Sequence, residues 1–507
     1  MRTLLCVLCA GASWALGCGD APATAPNATP DAAAPGRGAD AGVIDAAAAA
    51  PKPPVDAGPP KRIFAKRFVV KVREAPSKEA FRTGYMRAGS ILMAKTGAPV
   101  GYESCRKGWF ELEGGGFVCS TVDVIPFLGK RLPERRAMQP DLEAPLPYPY
   151  GYSRRPNTPV YRRLPSDEEA AIFEGYRIPG APPPDAGTAE LAEAPDEAGA
   201  PGSGEAVDAG VPTLESLMGD KDSVLLRRME RGFYVSLDRE MKKGRRRYFR
   251  TQANGFIPKR GLLMVKGGEF HGLDLERSGL QLPIGYLMSS KYSAYLADSR
   301  GRLRNRGKPG YHHRFNIIGE REIRGTNYWL ADDSRLYRQQ DSTRIDARKR
   351  PKGVKPGEKW IDVNLSTQSL VAYEGDRPVY ATLVSTGRVK DELDPLKNFE
   401  TPTGKFRLTS KHLTATMDGD HAIDGPYSIE DVPYVMYFQL AFALHSAFWH
   451  NSFGRPRSHG CINLAPVDAR HIFNWASPEL PRGWHGRYPS EKEKGTRLYI
   501  HGETPEG

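Results

Sequence analysis

Two low-complexity stretches set the organisation of this chain. Residues 19–60 and 179–213 consist largely of Ala, Pro, Asp and Gly and carry almost no bulky apolar side chains. Such segments bury too little apolar surface to offset the entropy lost on ordering, so we expect a disordered tether and a disordered linker. The 507-residue chain is therefore predicted to fold as separate globular units, at 61–128, 214–350 and 358–502.

The first residues have the pattern of an export signal. Arg2 precedes an apolar run from Thr3 to Leu16, which is too short to span a bilayer. The run leads into ALGC, and residues 1–18 resemble a bacterial lipoprotein signal. The resemblance implies cleavage before Cys18, lipidation of its thiol and anchoring to a membrane. An ordinary secretory signal cut nearby is the alternative, and both predict a periplasmic protein of the cell envelope.

Export changes what the six cysteines mean. The signal removes two of them, and the lipid takes Cys18. An oxidising compartment favours a disulfide between Cys105 and Cys119, which flank a predicted hairpin, and two free buried thiols are the alternative. Cys461 is then the odd thiol, and an odd thiol in an exported protein requires a reason.

The net charge of +12 favours an anionic partner. Charge alone does not distinguish nucleic acid, anionic lipid and an acidic polymer, but export argues against nucleic acid. The basic run KKGRRR at 242–247 is most simply a solvated turn, and contact with an anionic glycan or lipid is the alternative. The sequence predicts no particular oligomeric state.

Most of the remaining chain has strand patterns. Residues 61–128 alternate apolar and polar side chains between Gly turns, which predicts a small barrel. Their order of motifs resembles bacterial SH3-like domains, which commonly bind cell-wall peptides. Residues 129–178 predict an irregular basic connector that runs into the low-complexity linker. Residues 214–350 predict a β-rich domain, with one or two further SH3-like barrels as an option.

Residues 358–502 form the last predicted unit. KWIDVNLSTQSLVAYEGDRPVYATLVSTG alternates over two or three strands, with EGDR as a hairpin turn. Only residues 467–476 have helical spacing. The predicted fold class is therefore mainly β.

The chemistry of the last unit centres on Cys461. A thiol with its ordinary pKa of about 8.5 is a weak nucleophile at neutral pH, and a nearby imidazole activates it by removing the proton. His445, His450 and His459 lie close in sequence, and spacing alone does not say which is the base. Gly460 lets the backbone approach a substrate, and the N–H groups of Gly460 and Cys461 are candidates for an oxyanion hole.

The block H…FG.P.SHGC.NL…DA, with STG and TPTGKFRL before it, resembles the L,D-transpeptidase catalytic domain over most of 358–502. The resemblance implies a β-sandwich in which His445 is the general base and the Ser446 backbone carbonyl orients its ring. It also places His459 beside the thiol and Asn463 in the site. We further expect substrate contacts from Ser458, Asn463 and Tyr434.

The family's reaction needs neither a cofactor nor a metal. The thiolate attacks the carbonyl between the third and fourth residues of a peptidoglycan stem tetrapeptide, and D-Ala leaves. An amine of another stem then takes the acyl group, which gives a 3–3 cross-link. Water as acceptor would make the protein an L,D-carboxypeptidase, and a protein lysine would make it a wall-attachment enzyme.

Other readings of the same residues remain open at this point. Cys461 is an inert packing residue in one, and the protein is then a non-catalytic wall-binding protein. His450, His459 and Cys461 bind zinc in another, although their spacing matches no common zinc pattern. We expect His471 to be structural or exposed, and at least one of Tyr434 and Tyr437 to pack in the core.

Overall fold

A computed structural model describes residues 61–122, 124–127, 137–175, 212–389, 399–421 and 425–505. The predicted signal, Cys18, the tether and nearly all of the low-complexity linker lie outside these ranges. Strands dominate the described residues, which confirms the predicted mainly β class. In this part of the chain, no helix has the length and apolar composition needed to cross a membrane.

The first unit is a small β-structure whose strands enclose one apolar core. Its strands are β1 (Arg62–Ala65), β2 (Val70–Arg73), β3 (Arg82–Met86), β4 (Ile91–Met93), β5 (Trp109–Glu111), β6 (Phe117–Cys119) and β7 (Val124–Phe127). β1 pairs with β4 and β7, and β6 pairs with β2 and β5. A disulfide joins Cys105 to Cys119. The core includes Trp484, which comes from the far end of the chain.

The middle of the chain contains two β-units with the same strand order. The first has β8 (Tyr150–Ser153), β9 (Thr158–Tyr161), α1 (Asp167–Glu174), β10 (Leu225–Met229), β11 (Tyr234–Lys243), β12 (Arg246–Thr251), β13 (Phe256–Pro258) and β14 (Leu262–Val265). After β15 (Leu273–Asp274) and α2 (Leu275–Ser278), the second has β16 (Ile284–Leu287), β17 (Tyr295–Ala297), β18 (Leu303–Asn305), β19 (Arg314–Ile323), β20 (Thr326–Ala331), β21 (Leu336–Arg338) and β22 (Ser342–Ile345). We call them the first and second repeat.

The two repeats correspond strand by strand. β19 to β22 have the same lengths as β11 to β14, and each begins 80 residues later, as from Tyr234 to Arg314 and from Leu262 to Ser342. Both long hairpins carry a bulge at the same place, between Leu237 and Arg239 and between Ile317 and Gly319. β8 pairs with β11 and β14, as β16 pairs with β19 and β22. The correspondence indicates an internal duplication.

This arrangement corrects the prediction of an irregular connector over 129–178. β8, β9 and α1 lie in that range, and β8 and β9 complete the sheets of the first repeat. The many Pro and Arg residues around these two strands mask the strand pattern. Both strands are also short, and β9 pairs with segments far along the chain. Residues 214–350 alone thus do not make up a unit.

The last unit has two sheets facing each other. Its elements are β23 (Lys359–Asn364), β24 (Ser369–Glu374), β25 (Arg377–Leu383), β26 (Gly404–Arg407), β27 (Ser410–His421), β28 (Gly425–Gln439), β29 (Phe442–Ser446), β30 (Ile462–Leu464), α3 (Pro466–Trp475), β31 (Gly486–Arg487) and β32 (Arg497–His501). One sheet has the order β15-β25-β24-β23-β32-β26, and β27 to β30 belong to the other. Their facing side chains form one core with the apolar side of α3, including Ile361, Leu444 and Phe473.

Asp431 on β28 joins three units through one buried carboxylate. Arg87 of the first unit forms an ion pair with it, and Ser236 of the first repeat and Thr414 on β27 donate hydrogen bonds to it. We call these residues, with His485, the Asp431 cluster. The β27–β28 hairpin is thereby fixed against both accessory units, and this hairpin also covers the free thiol.

Candidate active site

The free thiol lies beside the parallel strands β29 and β30. Their register sets His445 opposite Asn463, and Cys461 directly precedes β30. Side chains alternate along a strand, so Leu444 and Ile462 point into the sandwich core while Ala443, His445, Cys461 and Asn463 share the opposite face. The core memberships agree, since Leu444 and Ile462 lie in the sandwich core and Ala443 and Cys461 in a separate cluster under β28.

His445 is held in one tautomer. The residue is buried, and its Nδ1 lies 3.0 Å from the Ser446 carbonyl oxygen. That oxygen can only accept, so Nδ1 carries the proton and Nε2 keeps a lone pair. Burial lowers the pKa of His445 to about 4, which makes the neutral ring the resting form at pH 7.

Cys461 is also neutral at rest. Its sulfur packs near Val432, Val435 and Ala443, and Sγ lies 3.7 Å from the Ala441 carbonyl oxygen, to which the thiol donates. Burial raises the pKa of the thiol to about 11. Within the described residues no hydrogen bond links Sγ to an imidazole.

The loop before Cys461 has a shape that requires glycine. Gly460 has φ +109°, and a Cβ there would lie 2.4 Å from Phe442 Cε1. Its N–H donates to Ser458 Oγ at 3.1 Å, and Ser458 Oγ donates to the Cys461 carbonyl oxygen. The Gly460 N–H is thus engaged in this structure, and the oxyanion hole of Gly460 and Cys461 stays a prediction. The Ser458 hydroxyl stabilises the loop through these two bonds.

Two segments that sequence reasoning left without a role frame this loop. Thr401 Oγ1 accepts from the Gly387 N–H and donates to the Gly460 carbonyl oxygen, each at 2.8 Å. A Cβ on Gly387 would lie 2.9 Å from Gly460 Cα, so the close approach requires glycine at 387 as well. Their signal in the sequence is the pair of motifs STG and TPTG.

His459 belongs to a different part of the site from His445. Its ring lies parallel to Tyr427, with ring centroids 5.7 Å apart, and its Nε2 lies 3.2 Å from Arg388 Nη2. His459 lies in the loop before β30, next to Gly460 with its positive φ. Tyr427 lies close to both His459 and Cys461. Burial, and after it the nearby Cys461 thiol, raise the pKa of Tyr427 to about 12.

Asn463 and His450 form a pair next to His445. Asn463 Nδ2 lies 3.0 Å from His450 Nε2, and the Ser452 N–H donates to His450 Nδ1. Burial lowers the pKa of His450 to about 3, which keeps the ring neutral. In the ranges that the structure describes, no cluster of three His, Cys, Asp or Glu side chains is arranged to hold a metal ion.

The tyrosines divide between core and site. Tyr434, predicted to contact substrate, is buried in the sandwich core, and its hydroxyl donates to the Ala144 carbonyl oxygen at 2.8 Å. This core position agrees with strand alternation, because Met436 and Phe438 on β28 lie in the same core. Tyr437 instead packs beside Cys461. His471 stacks on Tyr380, with ring centroids 4.0 Å apart.

The comparison with family models bears on this unit. Residues 358–500 match the family model YkuD, described as the L,D-transpeptidase catalytic domain. No curated protein sequence matches the chain.

Solved structures give three further similarities. A cysteine-to-serine mutant of the Enterococcus faecium L,D-transpeptidase is 22% identical over 28% of this chain and 50% of its own, with a TM-score of 0.22. L,D-transpeptidase 3 of Mycobacterium tuberculosis is 17% identical over 35% and 68%, with a TM-score of 0.22. An L,D-transpeptidase of Mycobacterium smegmatis is 13% identical over 53% and 99%, with a TM-score of 0.22. The chain thus spans about half of the length of the Enterococcus faecium protein.

The family match covers the strands that carry Cys461 and His445 and stops short of the accessory units. An L,D-transpeptidase catalytic domain is therefore found at residues 358–500 of this chain.

Proposed function

We propose that the protein is a peptidoglycan L,D-transpeptidase in which Cys461 is the nucleophile and His445 the general base. The observation that supports it is the fixed tautomer of His445, whose Nε2 lone pair shares a strand face with the only free thiol of the described residues. A general base needs an accessible lone pair, and a backbone carbonyl on the other ring nitrogen supplies one.

The proposed reaction moves one proton back and forth. The Cys461 sulfur attacks the carbonyl carbon between the third and fourth stem residues while His445 Nε2 takes the thiol proton. The tetrahedral intermediate expels the amine of D-Ala, which leaves with that proton. The acyl-thioester is then attacked by a stem amine, whose proton passes to His445 and on to the departing sulfur. The Cys461 N–H remains a candidate donor to the oxyanion.

The acceptor defines two variants of this function. Water in place of the amine gives an L,D-carboxypeptidase, and a lysine of another protein gives a wall-attachment enzyme. A non-catalytic wall-binding protein is the alternative of a different class, in which the accessory units bind the wall and the thiol is idle.

Incubation of the purified full chain with tetrapeptide muropeptides separates these functions. We expect a cross-linked dimer and free D-Ala by mass spectrometry, and at least a thousandfold lower turnover in the Cys461→Ala variant. A tripeptide product without dimer indicates the carboxypeptidase. No turnover by the unaltered chain, with normal binding of muropeptides, contradicts the proposal.

A further inference from the structure

The first repeat contains a cavity of about 450 Å³ whose wall is rich in cations. Five basic side chains line it, namely Arg245, Arg246, Arg247, Lys259 and Arg260. Arg245 to Arg247 come from the turn and start of the β11–β12 hairpin, and Lys259 and Arg260 from the 3₁₀ turn before β14. Two elements of the fold thus converge on one concave, positively charged surface.

The second repeat provides an internal comparison for this charge. The 80-residue offset sets Arg245, Arg246 and Arg247 against Gly325, Thr326 and Asn327. It sets Lys259 and Arg260 against Gln339 and Gln340. None of the five counterparts is charged, yet the strand lengths, the bulge and the 3₁₀ turn are the same. Stability of this β-unit therefore does not require the five cations.

The helix α1 is the second difference between the repeats. It lies between β9 and β10, and the second repeat has no counterpart between β17 and β18. Glu174 at its end closes one side of the cavity. The Glu174 carboxylate is almost fully buried and accepts hydrogen bonds from the hydroxyls of Tyr161 and Tyr248, each at 3.1 Å. The insertion thus adds a wall to the cavity.

Within the described residues, the carboxylates that pair with these cations are fewer than the cations. Arg246 pairs with Asp167, Arg247 and Lys259 share Glu240, and Arg260 pairs with Glu174. Three carboxylates of the described ranges therefore face five cations. No hydrogen bond or ion pair within the described residues uses the side chain of Arg245, which is exposed. Tyr248 and Pro258 supply an apolar lining between the charges.

We propose that this cavity is a second binding site, for carboxylate-bearing stem peptides of the wall. An excess of guanidinium groups favours carboxylates, and an apolar lining of this volume accommodates a peptide side chain with them. The identity of the ligand rests on the proposed function, because stem peptides are the carboxylate-rich material on which this catalytic domain would act. The site would hold the wall while the thiol reacts.

The test measures co-sedimentation of the full chain with insoluble peptidoglycan, in the Cys461→Ala background so that nothing is turned over. The variant Arg245→Gln/Arg247→Gln/Lys259→Gln should bind about tenfold more weakly. The matched control, Arg304→Gln/Arg306→Gln/Lys308→Gln, removes three exposed cations from the second repeat and should bind within about twofold of the parent. Thermal unfolding should be unchanged in both.

Three outcomes would overturn the inference. Equal weakening by both triple variants would mean general attraction to a basic protein, and unchanged binding of the first variant would remove the site. Equal binding to peptidoglycan stripped of its peptides, or binding only to vesicles containing phosphatidylglycerol, would reject the stem peptide as ligand. With Cys461 intact, the first variant should still turn over soluble muropeptides. Failure of the unaltered chain in that assay would contradict the proposed function and not the cavity.

Discussion

The Asp431 cluster and the thiol site both adjoin the β27–β28 hairpin, but their polar side chains are partnered in different ways. In the cluster, the Asp431 carboxylate accepts from Arg87, Ser236 and Thr414, and its pKa is lowered despite burial, first by Arg87 and then by Ser236. Among the described residues, the side chains of Cys461 and His445 each have one backbone carbonyl as hydrogen-bond partner.

The difference follows from the energetics of burial. A buried charge is tolerated when several donors compensate it, and such a cluster fixes the relative position of the elements that supply them. A buried group that is neutral at rest can remain sparsely bonded, which leaves it able to change partners when a substrate arrives. The full pairing of Asp431 is typical of a structural cluster, and the sparse bonding of Cys461 and His445 is what the proposed reaction requires.

The largest effect should appear in the alkylation of Cys461 by iodoacetamide. A thiol with a pKa of about 11 should react about tenfold faster for each pH unit gained, or about a thousandfold between pH 7 and pH 10. Stopped-flow or mass-spectrometric rates would measure this, with the Cys461→Ala variant as the blank. A rate that is already constant above pH 7 would show a thiolate–imidazolium pair and would remove the contrast with the Asp431 cluster.

Asp431→Ala should be strongly destabilising. It leaves Arg87 as an uncompensated charge between three units, which costs about 3–5 kcal/mol of unfolding free energy. Denaturant unfolding would measure the loss. The control Asp333→Ala breaks an exposed ion pair with Arg335 and should change stability by less than about 1 kcal/mol. Similar losses in the two variants would mean that the cluster does not join the units.

Protonation of His445 should destabilise the fold between pH 6.5 and pH 4. Folding lowers its pKa to about 4, so in this window the unfolded chain binds more protons and stability falls as pH falls, by about 3 kcal/mol for this ring. The slope of unfolding free energy against pH is proportional to the difference in bound protons between the unfolded and the folded state. His445→Asn should reduce that difference by up to one proton in this window.

Above pH 7 the imidazole is neutral in both states, so the curves of parent and His445→Asn should run parallel there. If His445→Asn leaves the slope of unfolding free energy unchanged between pH 6.5 and pH 4, the His445 ring is accessible to solvent and is not buried.

The smallest effect is expected for Tyr434→Phe. The change removes the hydrogen bond to the Ala144 carbonyl oxygen and should cost about 1 kcal/mol of unfolding free energy. Turnover of muropeptides should be unchanged, because Tyr434 faces the core. Tyr437→Phe makes the same chemical change beside the thiol, and it is the variant with which the turnover of Tyr434→Phe is compared. A loss of turnover in Tyr434→Phe alone would return this residue to the substrate site.

Many elements of the catalytic unit could be predicted from the sequence, because the patterns that indicate them extend over only a few residues. Alternation over 358–383 predicts strands wherever they pack, and α3 at Pro466–Trp475 coincides with the predicted helix at 467–476. The odd cysteine follows from counting thiols. The role of His445 came from the family resemblance, since spacing could not choose among three histidines.

The predictions that failed depended on which side chains and strands meet from distant parts of the chain. Tyr434 was expected to contact substrate, but its side chain packs in the sandwich core with Met436 and Phe438. The duplication went unseen because the aligned hairpins share their geometry and few of their residues. The strands β8 and β9 pair with β10, β11 and β14, which follow the low-complexity segment in the chain.

By itself, the sequence determined the mainly β class and the odd thiol in its SHGC loop. Only the tertiary structure decided which histidine shares a face with the thiol, that both are neutral, and that Asp431 joins Arg87 and Ser236. The physical reason is that side-chain patterns act over a few residues, whereas burial and ion pairing depend on groups that meet from positions as far apart as 87 and 431.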